Sequence, residues 1–315
     1  MNDPRLQPDQ VRAMRAMLVA HVEEGAAPAR RRYAVRAGFG ALAVGALAAV
    51  VAVVTVVVSP GDPADSPNAP GMLRAAADAT ADPEPADGQF LRIATSASHL
   101  AITSVDGSVD TAIGYVDSQV RDVYLAADGT VEPVATTTSV EPTVFFGAGA
   151  QQFAAESWNG DDDVVVVPAS LGADLTRPVE DQSAIPRDPD ALLVYLIEYR
   201  YQAGSSDENV FAHVVGLLRT GNVASDLRAA LYRALALMPS IVITEEEATL
   251  DGREGTAIGL RGADGDTRQE IVIDPSTGEY IGVRRVTIDG FGEIPPGTAL
   301  EYTALSTSVV DSVPR

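Results

Sequence analysis

The chain has 315 residues, 46% of them apolar, and a formal net charge of −22, so it can bury a sizeable core and is too acidic to favour nucleic acid. It has no Cys and no Lys, and all 22 basic residues are Arg. Those absences exclude disulfides, thiol nucleophiles, Cys-ligated metals, Schiff-base chemistry and a P-loop lysine.

The charge is unevenly spread. Residues 1–36 carry seven Arg against Asp3, Asp9, Glu23 and Glu24, leaving 15 Arg against 40 acids in the rest of the chain. This basic tail is expected to hold one helix from about Gln7 to Glu24. Pro8 is tolerated in its first turn, and Val11, Met14, Leu18 and Val22 form a narrow apolar stripe at helical spacing. A helix this short with one apolar face orders against a membrane or a protein. Val11, Met14 and Leu18 are therefore candidate docking residues for a cytoplasmic partner, the alternative being a passive helix at the headgroups.

Ala37 to Val58 contain no charge and a single polar side chain, Thr55. As a helix they would extend about 33 Å, matching a hydrocarbon core of about 30 Å. Arg30, Arg31, Arg32 and Arg36 precede the run, which places the N-terminus in the cytoplasm and the rest outside. An uncleaved anchor is favoured over a signal peptide, because the preceding tail is long and Ala64-Asp65-Ser66 is followed by Pro67. Arg30-Arg31-Arg32 also has the look of a twin-arginine export signal, which would leave the topology unchanged.

Residues 59–88 read as a Pro- and Asp-rich linker with a short helix at Met72 to Ala79. The folded extracytoplasmic domain is set at 89–315, with a start near Met72 as the other option. From Gln89 the signal is β, in short apolar runs at Phe90–Ala94, His99–Ile102, Ala112–Val116, Arg121–Leu125 and Val164–Val167, with Asp106-Gly107 and Asp128-Gly129 as turns. Residues 140–163 read as a loop. Three helices follow. Asp188 caps the first, at Pro189; Ser205 and Glu208 form a capping box on the second, which Gly221 stops; the third spans Ala224 to Met238. Five closely spaced strands complete the chain, at Ile241–Thr249, Gly255–Leu260, Arg268–Ile273, Tyr280–Ile288 and Thr298–Val310. The order β, α, β with short turns predicts an α+β fold built on an antiparallel sheet with about three central helices.

The candidates for chemistry are sparse. His99 and His213 could act together only if the fold brought them together; ordinary strand and helix positions are the simpler reading. Asp161-Asp162-Asp163, Glu245-Glu246-Glu247 and Asp264-Gly265-Asp266 lack the spacing of a calcium loop and read as solvated runs. Trp158, the single Trp, suits packing better than ligand contact. No catalytic residue, cofactor or metal is expected, and the protein reads as a non-enzyme.

Three stretches together with the basic tail and single span carry a resemblance: Asp188-Pro189-Asp190-Ala191-Leu192-Leu193, Leu227 to Ala236, and Ile273-Asp274-Pro275-Ser276-Thr277-Gly278. With them the chain resembles an uncharacterised actinobacterial family of single-pass membrane proteins, often neighbours of alternative sigma factors in the manner of anti-sigma regulators. The resemblance implies a membrane-tethered extracytoplasmic sensor or regulatory protein with a sigma factor as partner. The outer domain is also similar to lipoprotein-carrier folds, which implies the alternative of a membrane-anchored binding module for an apolar ligand with a passive tail.

Overall fold

The structure, a computed structural model, describes residues 68–104, 106–127, 133–160, 165–168, 182–198 and 205–314. The chain divides between residues 49 and 50 into two units, and all described residues lie in the second. The tail with Val11, Met14 and Leu18, the apolar run 37–58 and its flanking Arg30, Arg31, Arg32 and Arg36 lie outside the described residues. Among the described residues no helix is long and apolar enough to cross a membrane.

The fold is antiparallel α+β. In chain order its elements are α1 (Ala69–Ala79), β1 (Phe90–Ser104), β2 (Ala112–Ala126), β3 (Val134–Val140), β4 (Phe145–Phe146), α2 (Ala150–Ser157), β5 (Val165–Pro168), α3 (Pro189–Glu198), α4 (Ser206–Leu218), α5 (Ser225–Leu235), β6 (Val242–Leu250), β7 (Arg253–Arg261), β8 (Thr267–Asp274), β9 (Glu279–Thr287) and β10 (Ala299–Val310). The ten strands form one sheet in the order β5-β3-β2-β1-β10-β9-β8-β7-β6, with β4 on β2. An N-terminal hairpin system and a C-terminal meander thus meet where β10 pairs β1, from Phe90↔Val310 to His99↔Glu301.

Local signals account for most of the helices. Asp188 Oδ1 accepts from Ala191 N at 3.0 Å at the start of α3. Ser205 and Glu208 exchange both bonds of a capping box on α4. Helix α5 begins at a residue with no capping side chain of its own; Asp82, distant in sequence, instead accepts from Ser225 N at 2.7 Å. Helix α2 falls in a stretch read as loop.

The main core lies between one face of the sheet and helices α1, α3, α4 and α5, with Leu73, Leu192, Leu196, Phe211, Leu227, Leu231 and Leu235 packed on Ile93, Ile258, Ile271 and Leu305. Helix α1 is part of this core, with Leu73 and Ala76 fully buried, so the core reaches back at least to Ala69, ahead of Gln89. Arg233 reaches back to Asp78 at 2.6 Å and Tyr232 donates to Gly278 O at 3.2 Å. Gly278 has φ 69°, and a Cβ there would lie 2.3 Å from Ala76 O. Only glycine lets the β8–β9 turn approach α1 this closely.

A second, smaller core lies on the far face of the meander, where Ala248, Leu250, Ala257, Val272, Ile281 and Ala304 cluster. Register shifts at Ile243/Glu245 and Glu245/Ala248 bend β6, and Leu250 comes to sit over Gly282 of β9, whose missing side chain makes the room.

Candidate functional site

The helix-facing side of the sheet changes character along the strands. Alternation puts Leu91, Ile93, Thr95, Ala97 and His99 of β1 on that side, and the pairing extends each into a row across the sheet. The row through Ile93 holds Val123 and Ala135, and Ile93 and Val123 pack in the helix-covered core. The row through Ala97 runs Ser139, Gln119, Ala97, Thr303 and Val283. The row through His99 is polar over five strands, Asp117, His99, Glu301, Arg285 and Gln269, and ends on the buried Leu260 of β7.

These two rows floor a cleft of about 280 Å³, walled on the helix side by Val215 of α4 and Arg219 at its end. Within it His99 Nε2 lies 3.6 Å from Asp117 Oδ2, and Arg285 Nε lies 3.1 Å from Glu301 Oε1. The residues lining it include three arginines, Arg219, Arg284 and Arg285, against two carboxylates, Asp117 and Glu301, in a strongly acidic molecule. The arrangement supplies hydrogen bonds and charge at fixed positions. His99 meets a carboxylate, while His213 is buried on α4 beside Tyr195, their ring centroids 6.0 Å apart; the two are not joined into one site.

One row further towards the helices, Arg121 stands between Thr137 and Thr95. It is only 7% exposed. Its Nε and Nη2 have no hydrogen-bond partner, and burial without a counter-charge pulls its pKa down. Leaving a buried donor unsatisfied costs about 1–3 kcal/mol, more for a charged group.

The other buried arginine is ion-paired on the far face, with only its Nη1 left without a partner. Arg284 reaches Glu270 at 2.6 Å and Glu245 at 2.5 Å, and Arg268 also bonds Glu270. Glu245, read as part of a solvated acidic run, is thus a partner in a buried network, while Glu246 and Glu247 are exposed. Asp264 closes a turn by accepting from the backbone of Asp266 and Thr267. Asp161, Asp162 and Asp163 lie outside the described residues. Among the described residues no group of three or more His, Asp and Glu is placed to hold a metal ion.

Trp158 follows α2 beside the cleft: Gly160 is packed so closely on the indole and on Ser139 that a Cβ would come within 2.5 Å of the ring and 2.7 Å of Ser139 Cβ. Gln119, Arg121, Arg219, Gln269, Arg285 and Glu301 carry no motif. The signal that marks them is subtler, namely polar residues continuing an apolar strand face: Leu91 and Ile93 lead to His99, and Leu125 and Val123 lead to Arg121, Gln119 and Asp117. Comparison of the chain with protein-family models, with curated proteins and with solved structures gives no match.

Proposed function

We propose that the chain is a membrane-tethered sensor or regulatory protein whose outer domain binds a small polar molecule in the cleft between α4 and the sheet. The observation that carries this reading is the five-residue polar row Asp117, His99, Glu301, Arg285 and Gln269, laid across five strands on the face whose other end is core. A polar row there contributes nothing to helix packing and serves recognition. The same lining favours a polar occupant over the apolar one of the carrier alternative. The anchor at 37–58, the cytoplasmic tail and an alternative sigma factor as partner of Val11, Met14 and Leu18 belong to this proposal on the strength of the sequence.

The test is a thermal-shift screen of small polar metabolites on the full chain in nonionic detergent, repeated on Ala97→Phe, which fills the cleft floor. Compounds that stabilise the wild type and lose their effect on Ala97→Phe support the reading. A screen in which every stabilising compound acts equally on both proteins overturns it.

A further inference from the structure

We propose that Arg121 is the anchor for an oxyanion, so that the ligand of the cleft carries a phosphate or carboxylate group. The proposal deepens the cleft reading and rests on it. Three observations carry it.

First, Arg121 is more than nine-tenths buried and has no carboxylate partner among the described residues, whereas the other buried arginine, Arg284, bonds two. Second, the two unpartnered nitrogens are Nε and Nη2. They form one edge of the guanidinium, and their N–H bonds run parallel. That edge matches two oxygens of a phosphate or carboxylate in a bidentate bond. Third, the surroundings fit an anion. Thr95 and Thr137 flank Arg121 in register, and Gln119 of the cleft floor is the next same-face residue on β2. Rows on one face are about 7 Å apart, a distance an arginine side chain covers. Arg219 and Arg285 line the cleft and Arg121 lies one row behind its floor, so these three arginines outnumber the cleft carboxylates Asp117 and Glu301.

The experiment uses the full chain in nonionic detergent, in Tris chloride at constant ionic strength. Sodium phosphate and sodium acetate are titrated separately. The readouts are the unfolding temperature and the emission of Trp158, the single Trp, which sits beside Ser139 of the cleft. Wild type is compared with Arg121→Met, Arg121→Lys and Ala97→Phe. The expected result is a saturable rise in unfolding temperature with a Trp158 shift for at least one anion, and the anion that acts identifies the source. Arg121→Met should weaken that response by about tenfold or more, and Arg121→Lys, which keeps charge but loses the fork, should fall between. In chloride alone Arg121→Met should unfold at a higher temperature than the wild type, because it removes an uncompensated buried charge.

The anchor is overturned if neither anion acts saturably, if Arg121→Met responds like wild type, or if Arg121→Met lowers the unfolding temperature in chloride as a packing residue would. Ala97→Phe separates the two readings. A response lost in Ala97→Phe and kept in Arg121→Met leaves the cleft standing and removes the anchor. A response kept in Ala97→Phe and lost in Arg121→Met leaves an anion site at Arg121 and removes the cleft.

Discussion

Two buried arginines meet opposite circumstances in this sheet. Burial alone pulls Arg284 down, and the charges and hydrogen bonds of Glu270 and Glu245 more than reverse it; for Arg121 nothing offsets the burial. Substituting Arg284→Met leaves Glu270, which is 0% exposed, with one of its two arginine partners gone. Stripping a partner from a buried pair typically costs about 3–5 kcal/mol, so this variant should lose a large part of the stability measured by denaturant unfolding, while Arg285→Met at the open rim should change it little. Asp226 gives a milder, pH-dependent case. The hydrogen bond from Arg187 holds its carboxyl below the ordinary range, outweighing the opposing effect of burial, and the backbone bond of Leu227 and the charge of Arg187 add to it. A depressed carboxylate stabilises the fold above its unfolded pKa, about 3.9, and that contribution is lost as pH falls through the folded value. Asp226→Asn should accordingly unfold at a slightly lower temperature than the wild type at pH 7, and that difference should shrink as the pH falls below about 3.9. The carboxylate is exposed, so the difference is small.

At the scale of elements, the core-facing helices and the Gly-turned strands are legible in the sequence, α5 through the spacing of Leu227, Leu231 and Leu235 even without a local cap, whereas α2 and the polar centres of β1 and β2 are not. Asp188, Ser205 and Glu208 bracket α3 and α4 in sequence because each cap lies within four residues of the helix it serves. Helix α5 takes its bond from Asp82, which no local window contains. Strands β1 and β2 each read as two short runs because Thr95–Ser98 and Asp117–Val120 break the apolar pattern. The backbone runs straight through both stretches, since neighbouring strands satisfy it and Ser98 and Ser118 share a buried hydroxyl bond at 2.7 Å. The apparent breaks are where the cleft floor lies, so the segments that confused the strand pattern carry the candidate site. Helix α1 was visible, but its role was not: linker composition on both sides hides four buried residues. A chain that starts at Asn68 should unfold cooperatively, and one that starts at Gln89 should not, because it strips Leu73, Ala76 and the Asp82 cap together. Circular dichroism with thermal melting distinguishes the two. Equal melting of both would put α1 outside the cooperative unit.

For the whole molecule, the proposed topology makes a prediction independent of any ligand. A phosphatase active only outside the cytoplasm should work when fused after Arg315 and be silent when fused after Glu24; the reverse pattern would overturn the orientation drawn from Arg30, Arg31, Arg32 and Arg36. The sheet also has a temporal side. Strand β10 lies between β1 and β9, although it is the last of the ten to leave the ribosome. Until it arrives, the hairpins of the first half and the meander of the second are separate sheets, each with a bare edge towards the other, and the pairing that unites them closes a loop of almost the whole domain. A chain emerging vectorially thus carries the open edge of β1 through most of the synthesis of the domain, and that of β9 only just before β10 follows. A message truncated between Thr287 and Ala299 leaves both open permanently, and its product is expected to be a ready substrate for proteases and for pairing with its own kind.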